Sequence, residues 1–504
     1  MNKPKREKNI TYTISVILIV ALVLWAVLSG SLFEAAANTA FTFLSVNFSW
    51  LYMLAMSAFV IFSIWIGFFS KYRKIRLGAD DARPEYSNAA WFGMLFSAGA
   101  GIGLVFWGVA EPLSVWAAPP GIEPGSAEAT RFAFQKAFLH WGLHPWAAYC
   151  VLGLGMAYFQ FRKGKPGLVS SVFPALAGDN KTCRILQKGI DILAIFATAA
   201  GIATSLGLGA MQIDGGLNAV FGLPKSKPVL IATVVIITIA CLVVTAAGME
   251  KGIKRIGNLN NMIVGLLAVC GLLLGPTREI LCHWVEGLGV YIQTLPSSAL
   301  ETGSFSDTSS WYGKWTVFYW AWWIAWAPFI GGFIARISKG RTVQEFIAGV
   351  LFLPSSASLL WFSIFGSMGI DVGREIGVEA ARELVSDTAG TLFAVLRHYP
   401  LSSILSVVFL VLLCTFFITS FNSATFVLGM LSSNGDLNPP LSRKLVWGVL
   451  QAALALVLMV CTSKGLDMLQ TMSIVSAFPF AFILIFTMVS VVQTIRKDPS
   501  VQKE

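Results

Sequence analysis

Apolar runs of about 20 residues, the length a helix needs to cross a bilayer, follow one another along almost the whole chain. Short polar segments separate these runs. The pattern predicts twelve transmembrane helices, at 12–29, 49–69, 89–110, 139–161, 189–213, 228–248, 258–275, 315–335, 346–368, 401–430, 445–463 and 468–494. We therefore expect an all-α integral membrane protein without a soluble domain.

Small and polar residues interrupt the apolar pattern of two predicted spans. Span 3 has alternate glycines at Gly99, Gly101 and Gly103, and span 10 has a hydroxyl-rich patch at 416–423. Irregular backbone at this depth is tolerated only where it is buried in protein or lines a wet cavity, and paired broken helices are typical of secondary transporters. We therefore expect both spans to break, although the glycines could instead permit close helix packing. Span 8 also carries Pro328 and two glycines just after its aromatic residues.

The charged residues are few, and their positions predict the topology. Only 12% of the chain is charged, against about 25% in a soluble domain. With the N-terminus in the cytoplasm, 26 of the 36 Lys and Arg residues fall in cytoplasmic segments and 10 outside. This is the positive-inside bias. The formal charge of +10 therefore reflects membrane topology, and we expect two cytoplasmic termini and no nucleic-acid partner.

Five tryptophans lie within the twelve residues that begin at Trp315. On an ideal helix Trp315, Tyr319, Trp322 and Trp326 share one stripe, with Trp323 beside it. Indole faces attract cations, and such a cluster suits a quaternary ammonium, which has no N–H to donate. The alternative is an aromatic belt at headgroup depth, which would account for the two outermost rings.

A second aromatic face lies on span 4, where Trp141, Trp146 and Tyr149 fall within an arc of about 140°. A betaine also carries a carboxylate. The opened backbone at Gly99–Gly103 could offer peptide N–H groups and the positive end of a half-helix to that anion. The two features together predict a site for a zwitterion that needs no ionised side chain.

Other classes of function find little support in the sequence. The seven cysteines show no metal or disulfide spacing, and no cofactor is expected. The chain has no H-E-x-x-H or G-x-S-x-G motif and no ring-forming charged filter, which disfavours an intramembrane enzyme and a channel. Between spans 7 and 8, apolar residues from Leu281 to Leu295 recur at helical spacing and predict an amphipathic helix along the membrane surface.

With these residues in view, the chain resembles the betaine/choline/carnitine transporter family. The resemblance covers nearly all twelve spans, and three motifs carry it most specifically: Gly-Ala-Gly-Ile-Gly-Leu with Glu111-Pro112, His-Trp-x-x-His-Pro-Trp-x-x-Tyr, and Trp-Ala-Trp-Trp-x-x-Trp followed by 335–341. It is most similar to the sodium-coupled glycine betaine carriers. The resemblance implies an aromatic box formed by Trp141, Trp146, Tyr149 and Trp323, with Trp326 on the outer side of the pathway.

The resemblance also implies a LeuT-like core of two inverted five-helix repeats, homotrimers and alternating access. The corresponding division of the chain is a tail with two peripheral helices at 1–88, a first repeat at 89–275, an amphipathic linker at 276–314, a second repeat at 315–494 and a short tail at 495–504.

A sodium site between spans 3 and 10 is a further implication of the resemblance. Its ligands would be Ser97, Ala100 and Phe416 through their carbonyls, and Thr419 and Ser420 through their hydroxyls. Hard oxygen ligands suit Na⁺, although Ser and Thr in a helix often bond back to their own backbone.

Two departures from the family pattern bear on ion coupling. Carnitine exchangers place an arginine in span 7 where this chain has Asn260, which favours ion coupling here. A weaker second sodium site would use Thr198 and Phe329, but Ile202 replaces one of its hydroxyls.

The sequence thus predicts a multi-pass carrier of the bacterial inner membrane that imports a trimethylammonium solute such as glycine betaine, choline or carnitine, with Na⁺ as the coupling ion. The alternative is a cation-independent carnitine/betaine exchanger.

Overall fold

The computed structural model describes residues 9–99, 101–174, 180–248, 250–462 and 464–500, which form a bundle of helices. The described part contains no strand beyond one antiparallel bridge between Arg76 and Thr342. The helices are α1 Ile10–Leu28, α2 Gly30–Ile64, α3 Asn88–Gly99, α4 Ile102–Ala117, α5 Ala127–Trp141, α6 Leu143–Ala157, α7 Lys181–Phe221, α8 Lys227–Ala246, α9 Glu250–Leu274, α10 Thr277–Ala299, α11 Ser309–Tyr312, α12 Phe318–Ile337, α13 Val343–Ile376, α14 Val378–Ser386, α15 Thr391–Leu396, α16 Ser402–Leu431, α17 Leu441–Val460 and α18 Gly465–Ile495.

Ten helices within these ranges are long and apolar enough to cross a membrane, and the bent pair α3 and α4 makes an eleventh span if it counts as one. The protein is therefore a multi-pass, all-helical membrane protein. Helix α6 corresponds to predicted span 4 but has only 15 residues before a π-helical turn, Tyr158–Arg162, extends it. It is not among the ten.

The predicted break in span 3 is present. Helix α3 ends at Gly99, α4 begins at Ile102, and the two helices are bent by 60° relative to each other. The glycine at 103 also has a packing reason, because a Cβ there would lie 2.6 Å from Trp322 Cη2 and 3.1 Å from Trp141 Cη2. The glycines of span 3 therefore serve both an opened backbone and close packing.

The predicted break in span 10 is wrong, because α16 runs unbroken from Ser402 to Leu431. Its hydroxyls bond back to carbonyls of the same helix: Thr415 Oγ1 donates to Val411 O at 3.0 Å, and Thr419 Oγ1 donates to Thr415 O at 3.1 Å. Back-bonding keeps these polar groups satisfied without opening the backbone. Helix α12 likewise continues through Pro328.

Two further boundaries differ from the prediction. Helix α2 starts at Gly30 and continues through a π-helical turn to Phe69, which gives a 40-residue segment and not a span that begins at 49. The aromatic residues of predicted span 4 lie on two helices, because the chain breaks at Gly142 between α5 and α6.

Helix α12 lies at the centre of the bundle, with 89% of its apolar window buried inside the protein, against 17% for α8. It packs against α6, α7 and α18, while α4 packs along α13. Because α12 is enclosed on several sides, its tryptophans face other helices and not lipid.

The predicted amphipathic helix is α10; its residues His283 and Ser298 contact other helices, whereas Glu286 is exposed. His283 Nδ1 lies 2.8 Å from Ser367 Oγ, and Gln135 of α5 donates to Ser298 Oγ at 2.7 Å. On the other face Val285 and Ile292 are 62% and 73% exposed. An apolar face turned outward is the arrangement expected for a helix in contact with lipid or with another subunit.

Candidate functional site

A cavity lies where α4, α5, α6, α7, α12 and α13 meet. All six aromatic residues predicted for the site line it: Trp141, Trp146, Tyr149, Trp322, Trp323 and Trp326. The remaining lining residues are Gly101, Ile102, Gly103, Leu104, Pro145, Ser205 and Ser358. This lining, an apolar wall with a few polar groups, is typical of a small-molecule site.

The aromatic rings of the cavity are arranged at right angles and in stacks. Trp322 and Trp323 stack with centroids 4.7 Å apart, and Trp141 meets Trp323 edge to face at 4.9 Å and 76°. Trp146 and Tyr149 are perpendicular to each other at 5.5 Å. These are favourable aromatic geometries, and they hold the rings of α5, α6 and α12 around one volume.

The aromatic-belt alternative does not hold for Tyr319. Its side chain is fully buried, and its hydroxyl donates to Glu111 Oε2 at 2.6 Å. Tyr319 stands between Trp315 and Trp323, with which it stacks at 6.5 and 6.0 Å. It therefore belongs to the wall behind the cavity and not to a membrane interface.

The buried carboxylate of Glu111 supports this wall. Glu111 was not among the site residues predicted from the sequence. Glu111 Oε1 lies 2.6 Å from His140 Nδ1, and Oε2 accepts hydrogen bonds from Trp141 Nε1 at 2.8 Å and from Tyr319. His140 stacks on Tyr319, and its Nε2 lies 3.0 Å from Thr316 Oγ1. Glu111 is buried because α4 continues past the predicted end of span 3.

The start of α4 forms the polar end of the cavity. Gly101 is the N-cap residue, has extended φ and ψ angles and offers no side chain, so no side chain caps the first peptide N–H groups of α4. The N–H of Leu104 donates to the Gly101 carbonyl at 3.1 Å. The uncapped N–H groups and the positive end of the helix are suited to an anion. Gly101 and Gly103 line the cavity, whereas Gly99 ends α3 and is outside its lining.

Two of the residues predicted to bind sodium, Phe416 and Thr419, lie beside Asn260 of α9. Thr419 Oγ1 is 3.1 Å from the carbonyl oxygen of Phe416, and Asn260 Nδ2 is 3.5 Å from Thr419 Oγ1. Asn260 is buried, and its Oδ1 has no hydrogen-bond partner among the described residues. The Thr419 and Phe416 oxygen atoms therefore lie close together, with the amide nitrogen of Asn260 facing Thr419. Asn260 is a residue that the predicted ligand set did not contain.

The remaining predicted ligands are less well placed. Ser97 Oγ lies 3.7 Å from the position of a Cβ at Gly257, one turn before Asn260 on α9. Ser420 follows Thr419 on α16, and Ala100 lies outside the described residues.

The weaker second site would lie between α7 and α12. These helices are joined by Trp326 Nε1, which donates to Gly201 O at 2.8 Å. Thr198 lies one turn before Gly201 on α7, and Phe329 lies one turn after Trp326 on α12. The Thr198 hydroxyl is buried without a partner in the described part of the chain. Ile202 is buried on the same helix and supplies no oxygen.

The chain is similar to known transporters over nearly its whole length. The sequence profile of the BCCT, betaine/carnitine/choline family transporters, matches residues 10–500. The chain is 44% identical over 480 residues to the glycine betaine transporter OpuD of Bacillus subtilis, which covers 95% of this chain and 92% of the relative. It is 40% identical to the ectoine/hydroxyectoine transporter of Virgibacillus pantothenticus, over 99% of this chain and 98% of the relative.

A third relative, the ectoine/glycine betaine/proline transporter EctP of Corynebacterium glutamicum, is 38% identical over 97% of this chain and 80% of its own length. All of these relatives are transporters, which confirms the expectation that the chain is not an enzyme.

Proposed function

The chain belongs to the betaine/carnitine/choline transporter family, and we propose that it imports a zwitterionic trimethylammonium solute, with glycine betaine as the first choice, by Na⁺-coupled secondary transport. The observation that carries this proposal is the cavity, where aromatic rings from α5, α6 and α12 surround one volume beside the open start of α4. Relatives named for glycine betaine, ectoine and proline transport support a zwitterionic solute over choline.

The chemistry of the cavity explains how such a solute would be held. A trimethylammonium group has no N–H, so it is attracted by ring faces through cation–π interactions. Trp146 and Tyr149 both line the cavity, so two rings of α6 border the volume that the cation would occupy. A carboxylate at the other end of the solute would meet the positive end of α4.

Sodium coupling is supported by the oxygen atoms around Asn260, Thr419 and Phe416. An ion bound there would join α9 to α16, and with Ser97 it would also hold α3. An ion that binds one conformation better than the other shifts the population toward it, and this differential affinity would couple the Na⁺ gradient to transport.

The family implies further features that we include in the proposal. These are twelve spans with α6 as the fourth, a LeuT-like pair of inverted repeats, cytoplasmic termini, a place in the bacterial inner membrane and a homotrimer. The exposed apolar face of α10 offers a surface for the subunit contact.

Uptake into proteoliposomes tests the function. The purified full chain, reconstituted without internal substrate, should accumulate radiolabelled glycine betaine when an inward Na⁺ gradient is imposed and not when K⁺ replaces Na⁺. Uptake that ignores Na⁺ and requires internal betaine or carnitine would establish the exchanger instead. Absence of uptake and of binding for every trimethylammonium solute would reject the proposed function.

A further inference from the structure

We propose that the hydroxyl of Ser358 accepts a hydrogen bond from a solute N–H, and that the cavity thereby also takes zwitterions whose cationic group is a tertiary or secondary ammonium. The inference rests on the proposed function of the cavity and extends it to a second class of solute. It assigns a role in specificity to α13, a helix that contributes no aromatic residue to the cavity lining.

Ser358 is the one serine of α13 whose hydroxyl makes no hydrogen bond within the described residues. It is 5% exposed and lines the cavity. The other four serines of the helix are all paired: Ser355, Ser356 and Ser363 donate to carbonyl oxygens four residues earlier, and Ser367 contacts His283. Serine hydroxyls inside helices often bond back to the backbone in this way. Because buried polar groups are almost always paired in native proteins, an unpaired hydroxyl at a cavity points to a partner that a ligand supplies.

The face of α13 that carries Ser358 packs against the end of α5. One turn before it, Ser355 Oγ lies 2.9 Å from Gly142 O, and one turn after it the ring centroid of Phe362 lies 5.0 Å from that of Trp141. Side chains at this spacing share one face of a helix. Ser358 therefore lies beside Trp141, whose ring lines the same cavity.

An aromatic wall and a hydroxyl recognise different features of a cation. Ring faces attract the positive charge, but an ammonium N–H that is enclosed by rings alone lacks a good acceptor, and burying an unpaired donor is costly. The hydroxyl oxygen of Ser358 can accept this N–H. A trimethylammonium group has no N–H and gains little from the hydroxyl. Ser358 is therefore expected to matter for partly methylated solutes and not for glycine betaine.

Binding of N,N-dimethylglycine and glycine betaine to the purified full chain tests the inference, because the two solutes differ only in that an N–H replaces one N-methyl group. Both dissociation constants are measured by competition with radiolabelled glycine betaine for the wild type, Ser358→Ala and Ser358→Thr. The readout is the ratio of the two constants. Ser358→Ala should weaken dimethylglycine binding by roughly 10-fold or more relative to glycine betaine, since a hydrogen bond from a charged donor is lost. Ser358→Thr keeps the hydroxyl and should keep the wild-type ratio.

Ser356→Ala is the matched control, because Ser356 is exposed and its hydroxyl is already bonded to Phe352 O. A general loss of packing lowers both affinities together and leaves their ratio unchanged, so the ratio isolates the contact with the N–H.

A wild type that binds glycine betaine but not dimethylglycine would overturn the inference and leave the proposed function intact. An unchanged ratio in Ser358→Ala would also overturn it, and the acceptor would then be Ser205 or Tyr149, whose side chains also line the cavity. A wild type that binds neither solute would overturn the proposed function, and this inference with it.

Discussion

The carboxylate of Glu111 accepts a hydrogen bond from the indole N–H of Trp141 at 2.8 Å, with both side chains buried. The same carboxylate accepts from Tyr319 and contacts His140, whose backbone carbonyl accepts the N–H of Trp323. One acidic side chain thus fixes, directly or through one neighbour, two of the tryptophans that line the cavity. Glu111 acts through these rings and does not line the cavity itself, so it is a positioning residue.

We expect Glu111→Gln to weaken glycine betaine binding by about 10-fold or more. The NH₂ group of the glutamine amide cannot accept a hydrogen bond, so at least one of the groups that now donate to the carboxylate would be left unpaired. The unfolding free energy should fall by about 1–3 kcal/mol for the same reason. Isothermal titration and thermal unfolding would measure the two effects. Glu128→Gln, on the exposed first turn of α5, is the control and should change neither quantity. Unchanged affinity in Glu111→Gln would show that the network only stabilises the fold.

Trp323 contacts both Trp141 and Trp322 at the cavity wall, and its ring is expected to contribute directly to solute binding. Trp323→Ala removes the ring, and a desolvated cation–π contact of about 2 kcal/mol corresponds to a loss of roughly 30-fold in affinity. Trp323→Phe should retain part of the affinity, since a phenyl ring keeps a weaker face. Tryptophan fluorescence or radioligand binding would measure the series, with the exposed Trp50→Phe as control. Equal losses in the alanine and phenylalanine variants would argue against a contact through the ring face.

The aromatic part of the site was predictable from sequence because tryptophans deep inside an apolar span lie beyond the headgroup depth at which an aromatic belt forms. The role of Glu111 could not be predicted from the sequence, since its partners Trp141 and Tyr319 are 30 and 208 residues away. Only the packing of α4 against α5 and α12 shows that a glutamate at the apparent end of a span is buried. Pairings of this length cannot be read from local spacing.

The break of span 3 was predicted correctly and that of span 10 was not, for reasons that differ physically. Alternate glycines lower the helix propensity of a whole turn, and no side chain at those positions can restore it. The hydroxyls of Thr415 and Thr419 instead donate hydrogen bonds to backbone carbonyls one turn earlier in an intact helix. A hydroxyl-rich sequence is compatible with both outcomes, so helix continuity there had to come from the structure.

Thr419→Ala tests the proposed ion site. Removing its hydroxyl takes one oxygen from the group that includes Phe416 O and Asn260, so the Na⁺ concentration for half-maximal uptake should rise several-fold. The affinity for glycine betaine at saturating Na⁺ should change little. Thr415→Ala removes a back-bonded hydroxyl one turn away on the same helix and serves as control. A Na⁺ dependence identical to that of the wild type would place the ion elsewhere.

The residues that follow α18 are anchored to the rest of the protein by an ion pair that was not predicted from the sequence. Asp498, whose side chain is fully buried, accepts from Arg162 Nε at 2.8 Å and from Tyr158 at 2.7 Å. Burial by itself would raise the pKa of the Asp498 carboxyl, but hydrogen bonds from Arg162, Tyr158 and Lys163 lower that pKa well below its usual value. The same arginine contacts Asp80, whose side chain is 74% exposed.

We therefore expect Asp498→Asn to lower the unfolding free energy by about 3 kcal/mol, since it leaves the largely buried Arg162 guanidinium with only its exposed partner Asp80. Asp80→Asn, the exposed partner, should cost less than about 1 kcal/mol. Because the pKa of Asp498 is lowered on folding, its contribution is complete above about pH 4 and is lost only as the pH falls further toward the folded-state pKa. The gap between wild type and Asp498→Asn in thermal unfolding should thus be constant from pH 8 to pH 5. A gap that closes within this range would contradict the assignment.

Gly103→Ala distinguishes close packing from simple helix breaking. A methyl group at this position would lie 2.6 Å from Trp322 and 3.1 Å from Trp141, so both indoles must shift out of the arrangement that lines the cavity. We expect the affinity for glycine betaine to fall by about 10-fold or more, because a close-packed interior cannot take up the volume of even one added methyl group without moving its neighbours. Gly265→Ala is the matched control, since a Cβ there meets nothing within 4 Å, and it should bind like the wild type. If Gly103→Ala binds normally, the indoles have room to yield, and the glycine serves the α3–α4 break alone.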